Sequence, residues 1–170
     1  MAAVRTAPTL VGDGLTLRPL RPDDREPLRT LHQQPGVMRW WAPMDPDFPF
    51  DDEPHMTRLA IEVDEQPAGI VQFTEELEPA YRSAAIDLFL GDAYANRGLG
   101  RAALRLVVDH LVADRGHHRI TIDPAVANVA AVRCYAAAGF EPVGVMRASW
   151  RDHETGEWTD SLLMEQIRLP

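Results

Sequence analysis

Cysteine, lysine, long apolar runs and repeated segments are all scarce or absent in this sequence. The single cysteine, Cys134, excludes an internal disulfide and gives no sign of an oxidising compartment. No apolar run approaches the length of a membrane span, and Met1–Gly14 lacks the charged-then-apolar pattern of a secretory signal. These absences predict a cytoplasmic protein with no membrane partner.

The absence of lysine leaves arginine to supply all 17 basic residues, against 26 acidic ones. The formal net charge of -9 repels a phosphate backbone, so a nucleic acid is not an expected partner. An acidic chain attracts cations, which favours a positively charged small molecule as the partner. The same charge also serves solubility alone, and this alternative stays open.

Length and composition indicate one globular domain. The chain has 170 residues, of which 45% are hydrophobic and 25% charged, the ordinary range for a folded protein. A chain of this length can bury roughly 70% of its unfolded surface, so no disulfide or metal is needed for stability. We assign residues 1–170 to a single domain, in which residues 1–13 form a loose tail.

Apolar periodicity predicts strands alternating with helices, which is typical of an α/β protein with a mixed sheet covered on both faces. The predicted strands cover 15–20, 58–63, 70–74, 83–90, 119–123, 140–147 and 158–167. The predicted helices follow Asp23-Asp24 and cover 37–41, 98–113 and 127–138. The nearly all-apolar strand 83–90 is expected to be buried on both faces. The acidic segments 45–54 and 75–79 are either solvated loops or walls of a site.

A glycine-rich turn, Arg97-Gly98-Leu99-Gly100-Arg101, lies between the buried strand and a long predicted helix. Glycines allow close approach of a backbone to a ligand, and a helix start offers free N–H groups to a phosphate. Arg97 and Arg101 can add charge-assisted contacts. A lone Gly-x-Gly is also compatible with an ordinary turn.

Two aspartates occupy positions where a carboxylate can do chemistry. Asp87 lies within an apolar strand, where burial without a partner is costly, so a site is favoured over a purely structural role. Asp123 closes the next strand before Pro124, at the carboxyl end where α/β sheets bind ligands, although Asp-Pro also opens ordinary turns.

The last predicted helix carries further candidates. Tyr135 can donate a proton to a leaving thiolate, or it can simply pack at a helix end. Cys134 has no evident base beside it and is expected to be a buried small hydrophobe. His117-His118 lacks metal-ligand company and is expected to lie in a turn, so no metal site is predicted.

Two motifs resemble the acyl-CoA-binding core of GNAT acetyltransferases. They are Tyr-Ala-Asn-Arg-Gly-Leu-Gly at 94–100 and Asn-x-x-Ala-x-x-x-Tyr-x-x-x-Gly-Phe at 128–140. The resemblance implies a GNAT fold, a mixed, mostly antiparallel sheet with two splayed central strands, and acetyl-CoA as co-substrate. It implies that the glycine loop and helix start hold the pyrophosphate, that Asn128 contacts pantetheine and that Tyr135 protonates the thiolate. The implied cofactor-binding residues are Leu88, Phe89, Leu90, Arg97, Gly98, Leu99, Gly100, Arg101, Asn128 and Tyr135.

The chain departs from that pattern at Ala95, where the family usually has Gln or Arg. A side-chain contact with the phosphate is therefore missing at this position, and Arg97 and Arg101 are expected to contribute more to phosphate binding.

A narrower resemblance, to the aminoglycoside 6′-N-acetyltransferases, covers about 15–167. It rests on Ile-Asp-Leu-Phe-Leu at 86–90, Thr-Ile-Asp-Pro-x-x-x-Asn at 121–128 and the tandem Trp40-Trp41. It implies that Asp87 is the proton acceptor and that Asp123 binds the antibiotic. Because direct proton transfer from an amine to an ordinary aspartate is unfavourable, it stays open whether Asp87 only orients the amine while water removes the proton. Transfer is then a direct attack through a tetrahedral intermediate. The implied catalytic residues are Asp87 and Tyr135, and the implied substrate-binding residues are Trp40, Trp41, Asp87 and Asp123.

Other functions remain open at this point. Siderophore-type lysine N-acyltransferases share the core but usually carry His where Asp87 stands. N-terminal acetyltransferases of ribosomal proteins share Leu-Arg-Pro-Leu at 17–20 followed by Asp23-Asp24. A CoA-independent small-molecule binding module is the non-enzyme alternative. A monomer and a homodimer are both compatible with the sequence.

Overall fold

The computed structural model describes residues 7–169, and in it one eight-stranded sheet carries the fold in the order β1-β2-β3-β4-β5-β6-β8-β7. The strands are β1 Leu10–Gly12, β2 Leu15–Pro19, β3 Met56–Val63, β4 Gln66–Glu76, β5 Ser83–Leu90, β6 Arg119–Ile122, β7 Glu141–Arg151 and β8 Trp158–Ile167. The helices are α1 Arg25–His32, α2 Pro35–Met38, α3 Leu99–Ala113 and α4 Val129–Ala138. From β2 onward the predicted order of elements is confirmed.

The N-terminal segment differs from the prediction of a loose tail. Leu10–Gly12 forms β1 and pairs with β2 in antiparallel register, Leu10 opposite Leu17. Gly14 supports the tight turn between them, because its φ of 78° is a left-handed conformation that glycine adopts without strain. Residues 1–6 of the predicted tail lie outside the described residues.

The β3–β4 hairpin is longer than predicted. A two-residue turn at Asp64 and Glu65, with φ of 49° and 62°, replaces the six residues that separate the predicted strands 58–63 and 70–74. Left-handed conformations at both central positions match the twist of flanking strands, so pairing continues up to the turn. As a result Glu75 and Glu76, expected in an acidic connection, belong to β4.

Alternating residues of the central strands feed two cores on opposite faces of the sheet. Val71 and Phe73 of β4 pack on the face that carries α3 and α4, with Leu104 of α3 fully buried there. Ile70 of β4 packs on the other face with Leu28 of α1. Both faces of the mixed sheet are therefore covered, as the sequence predicted.

The two central strands pair only at their beginnings. β5 and β6 are parallel, and their register joins Ala84 to Ile120 and Ala85 to Thr121. From Ile86 onward β5 pairs with β4 on one side, and within residues 7–169 no strand pairs with it on the other. The strands thus diverge toward their carboxyl ends, which opens a gap in the sheet.

The expectation that β5 is buried on both faces is wrong. Ile86 and Leu88 are buried in the α3 core, whereas Ala85 and Asp87 alternate with them and are accessible. The second core on that face covers Phe89 at the end of β5, but it does not extend back along the strand to Ala85 and Asp87.

A buried ionic cluster joins β4 to the loop after α3. The Glu75 carboxylate accepts hydrogen bonds from Arg115 Nε at 3.0 Å and is 2.8 Å from His117 Nε2. The sequence suggested that His117 is an ordinary turn residue, but its side chain is buried, with the residue only 1% exposed. Burial tends to raise the pKa of Glu75, but hydrogen bonds from Arg115 and His117 outweigh it and hold the pKa below its ordinary value.

Removal of this carboxylate is expected to destabilise the fold. Glu75→Gln should lower the free energy of unfolding at pH 7 by about 3 kcal/mol, because Arg115 loses its buried counter-charge. The depressed pKa means that the stabilisation is complete above the ordinary glutamate pKa of about 4.3 and is lost as pH falls through the lower folded value. Urea unfolding measured against pH checks both points. The exposed neighbour Glu76→Gln is the control, and equal unfolding midpoints for the two variants would contradict the assignment.

Candidate active site

A cavity of about 760 Å³ occupies the gap between the diverging strands. The end of β5, the start of α3 and the inner side of α4 form its walls, and the segment after α2 closes one side. Of the residues implied by the resemblance, the cavity is lined by Trp40, Trp41, Asp87, Leu88, Phe89, Leu90, Gly98, Gly100, Arg101, Asp123, Asn128 and Tyr135.

Two implied residues do not line the cavity. Leu99 is buried in the α3 core beneath the loop, and the Arg97 guanidinium lies over the Tyr94 ring, 5.9 Å from its centroid. The only arginine of the loop that lines the cavity is therefore Arg101. Ala95, at the position where the family has Gln or Arg, lines it without a polar side chain.

The glycine loop presents the start of a 15-residue helix to the cavity. Gly98 is the N-cap of α3 in a left-handed conformation, φ 78°, and no side chain caps the first N–H groups. A Cβ on Gly98 would meet nothing within 4 Å, so the backbone conformation and not crowding requires glycine here. Uncapped N–H groups and the positive end of the helix dipole suit a phosphate.

Gly100 allows α3 and α4 to approach each other. A Cβ at this position would lie 3.3 Å from Cys134 Sγ and 3.7 Å from Leu90 Cδ1. Cys134 is half-buried and lines the cavity, so it is less enclosed than the sequence suggested. Burial raises the pKa of its thiol, with a smaller opposing effect from Arg101. The thiol is therefore protonated at neutral pH, and a thiol is a poor nucleophile.

Asp87 points from β5 into the cavity, where small molecules can reach its carboxylate. Desolvation by the surrounding protein is the main cause that raises the pKa of Asp87 to about 6, and the charge of Asp123 adds to it. The Gln72 side chain opposes that rise. Burial also raises the pKa of Asp123, which follows β6. Two repelling carboxylates in one cavity favour a cationic ligand, since each gains from a positive neighbour.

Tyr135 extends from α4 into the same cavity. Burial above all, and then the neighbouring acidic groups of Cys134, Asp87 and Asp123, raise the pKa of its phenol well above the ordinary value. The phenol is therefore protonated throughout the neutral range. It can donate a proton but cannot act as a base.

Asn128 has a structural task besides any ligand contact. Its side-chain oxygen accepts a hydrogen bond from the Ala131 N–H at 3.1 Å and so caps α4. Its amide N–H groups are left to serve a ligand in the cavity.

The tandem tryptophans lie in different surroundings. Trp41 packs edge-on against Phe89, with ring centroids 4.9 Å apart, and against His32 at 6.0 Å. Trp40 has the guanidinium of Arg39 over its ring, 4.7 Å from the centroid. Trp41 therefore belongs to the second core, whereas Trp40 lies between the main cavity and a neighbouring one.

That neighbouring cavity, of about 770 Å³, shares Trp40, Ala125 and Trp150 with the first. Trp150 was not predicted to lie at a site. Its strand β7 shifts register between Met146 and Trp150, where Ala148 has a φ of 49°. Such a bulge redirects the following side chains, and no local pattern reveals it in advance. None of the acidic residues of segments 45–54 and 75–79 lines either cavity.

Comparison with known proteins identifies the fold and the family. Residues 14–141 match the family described as acetyltransferase (GNAT) domain. A probable N-acetyltransferase, YjcK of Bacillus subtilis, is 28% identical over 61% of this chain and 60% of its own length. The spermidine N(1)-acetyltransferase of Escherichia coli is 27% identical over 74% of this chain and 73% of its own length. The aminoglycoside N(6')-acetyltransferase type 1 of Klebsiella pneumoniae is 38% identical over 42% of this chain and 35% of its own length.

Solved structures share the architecture. Spermidine N-acetyltransferase from Vibrio cholerae, in complex with CoA and spermine, has a TM-score of 0.76 at 20% identity and covers 92% of this chain and 97% of that one. AAC(6')-Ib with parmomycin and acetyl-CoA has a TM-score of 0.72 at 24% identity, covering 92% and 94%. Among residues 7–169, no helix is long and apolar enough to span a bilayer. The match over residues 14–141 shows that the chain belongs to the GNAT acetyltransferase family, whose co-substrate is acetyl-CoA.

Proposed function

We propose that the protein acetylates a polycationic small molecule, and specifically the 6′ amine of an aminoglycoside. The observation that carries the proposal is the pair Asp87 and Asp123 in one cavity, each with a pKa raised by burial. A cation with several ammonium groups relieves the desolvation of both carboxylates. The 38% identity with an aminoglycoside N(6')-acetyltransferase, which extends over 42% of the chain, supports an aminoglycoside as the substrate.

The residues of the cavity divide the chemistry among them. The ionised Asp87 carboxylate holds the acceptor amine. It either accepts the proton that the amine loses or orients the amine while water takes that proton. The amine nitrogen attacks the acetyl carbonyl, and main-chain N–H groups of β5 beyond Ala85, which have no β6 partner, stabilise the oxyanion. The carbon–sulfur bond then breaks, and Tyr135 protonates the departing thiolate.

The second cavity offers room for a substrate larger than a simple amine. It joins the first at Trp40 and Trp150, and Asp152, Asp160 and Trp158 contribute to its walls. Indole faces stack on the apolar side of sugar rings and attract cations. The rings of an aminoglycoside beyond the reacting one fit this region.

A polyamine is the second candidate acceptor. The Escherichia coli spermidine N(1)-acetyltransferase aligns with a larger part of this chain, 74%, than the aminoglycoside enzyme does. A polyamine also carries several ammonium groups and satisfies the same two carboxylates. A thiol-release assay over kanamycin-like and tobramycin-like compounds, spermidine, a lysine hydroxamate precursor and basic peptides separates the candidates. Acetylation of the peptides or the lysine derivative alone would reject the aminoglycoside.

Loss of Asp123 is expected to weaken binding of the acceptor only. Asp123→Ala should raise KM for an aminoglycoside roughly tenfold or more, because a charge-assisted contact contributes about 1.5–3 kcal/mol. KM for acetyl-CoA should stay unchanged. Initial rates with each substrate varied in turn give both constants. Asp109→Ala, which removes the same charge from the exposed side of α3, is the control. A parallel rise of both KM values in Asp123→Ala would contradict this role.

A further inference from the structure

Three polar side chains form a row across the sheet and lead to Asp87. Arg58 on β3 is the register partner of Gln72 on β4, and Gln72 is the register partner of Asp87 on β5. Directly opposite residues of antiparallel strands project to the same face, so the three side chains lie next to one another. Neither Gln72 nor Arg58 lines the cavity, so both act on Asp87 from behind.

The hydrogen bonds fix the direction of the Gln72 amide. Arg58 Nε donates to Gln72 Oε1 at 2.8 Å, and a guanidinium has donors only, so the amide oxygen must face Arg58. The amide N–H groups are thereby directed to the other side, toward the register partner Asp87, and the Gln72 amide lowers the pKa of that carboxyl. Gln72 is 8% exposed, so solvent does not compete for the amide.

Arg58 is itself held in place. Its guanidinium donates to Asp51 Oδ1 at 2.6 Å and to the main-chain oxygens of Pro49 and Asp51 at 3.2 and 3.3 Å. It also lies over the Phe48 ring, 5.7 Å from the centroid. The acidic segment 45–54 therefore anchors the far end of the row, although it lines neither cavity.

We propose that Gln72 is a positioning residue that orients the Asp87 carboxylate toward the acceptor amine, and that Arg58 and Asp51 hold Gln72 in the required orientation. The proposal rests on the proposed function, in which Asp87 receives that amine. An N–H donor beside the carboxylate favours its ionised form and opposes the burial that disfavours it. The titratable groups that act on Asp87 from other elements are Asp123 after β6 and Tyr135 on α4, and Arg101 and Cys134 line the same cavity.

Gln72→Leu removes the donor and leaves a shorter, apolar side chain. The pKa of Asp87 should then rise above about 6, because burial and the charge of Asp123, which both disfavour the ionised carboxylate, remain without the donor. The acidic limb of the kcat/KM profile should move up by about one pH unit, the equivalent of losing a roughly tenfold preference for the ionised form. KM for acetyl-CoA should not change. Gln72→Glu keeps an acceptor for Arg58 but adds a negative charge beside Asp87, so it should move the limb further in the same direction.

Arg58→Met tests the anchor separately. It frees the Gln72 amide to turn over, and a smaller upward shift of the same limb is expected. Thr74→Val is the control, since it changes an exposed residue two positions along β4 on the same face of the sheet.

An NMR titration of the Asp87 carboxyl in the free protein decides the proposal without any acceptor. The signal is assigned by its absence in Asp87→Asn. A higher midpoint in Gln72→Leu, or in Gln72→Glu if Gln72→Leu does not fold, supports the role of Gln72. An unchanged midpoint in a variant that still folds and binds CoA would overturn it. The absence of acetylation of aminoglycosides and polyamines would reject the proposed function and leave the titration result standing.

Discussion

Asp87→Asn is expected to fold, to bind acetyl-CoA normally and to lose roughly 10²–10⁴-fold in kcat/KM, the usual contribution of a positioned acid–base group. The ordinary pKa of an amine is about 10.4 and that of aspartate about 3.9, a gap that makes direct proton transfer unfavourable. The cavity narrows this gap by raising the pKa of Asp87 to about 6. Whether the carboxylate accepts the proton or only orients the amine, an uncharged amide in its place can neither accept that proton nor attract the ammonium group by charge.

The pH dependence follows from the same value. The reactive form of Asp87 is ionised, so wild-type kcat/KM should fall as pH drops below about 6. Asp87→Asn should lack this acidic limb, and Asp109→Asn should keep it. Activity measured from pH 4.5 to 8 gives both profiles, and near-normal kcat/KM in Asp87→Asn would remove Asp87 from the mechanism.

As pH rises through the pKa of Asp87, the stability of the fold should decrease while the activity increases. A folded pKa raised above the unfolded one means that the native state loses stability as pH rises through the interval between them. The ionised carboxylate of Asp87 therefore opposes folding at pH 7. Asp87→Asn should have a Tm equal to or above that of the wild type, and a marked fall would indicate a structural role instead.

Much of the fold could be predicted because its signals are local. Leu104, Val107 and Leu111 repeat at helical spacing, and all three are fully buried in α3. The glycine loop lies directly between a strand and this helix in both the sequence and the structure. Asp87 stands out because a carboxylate is unusual within an apolar strand, whatever its neighbours are.

The features that were missed depend on contacts between distant segments. His117 joins Glu75 across 42 residues, and neither residue has a local pattern that indicates burial. The row from Arg58 through Gln72 to Asp87 exists only once the register of three strands is fixed. Trp150 reaches the cavity because of a bulge in β7. Pairing and register arise from the packing of the whole sheet, which short sequence patterns do not encode.

The proton that the thiolate of CoA needs should come from Tyr135. Tyr135→Phe is expected to lower kcat roughly 100-fold, within the range for loss of a general acid. KM for acetyl-CoA should change little, because the phenyl ring preserves the packing of α4. The raised phenol pKa also predicts that wild-type activity shows no basic limb from a tyrosine near the ordinary value of about 10.

Cys134→Ala is the matched variant for the direct mechanism. Cys134 precedes Tyr135 on α4 and lines the same cavity, yet burial raises the pKa of its thiol, and a protonated thiol does not attack a thioester readily. The variant should therefore keep kcat within about threefold of the wild type, since no acetyl-enzyme is formed on this residue. Steady-state rates and mass spectrometry of the enzyme during turnover test both variants. An inactive but folded Cys134→Ala, or an acetylated Cys134, would contradict direct transfer and indicate a covalent route. Full kcat in Tyr135→Phe would show that water, and not Tyr135, supplies the proton to the thiolate.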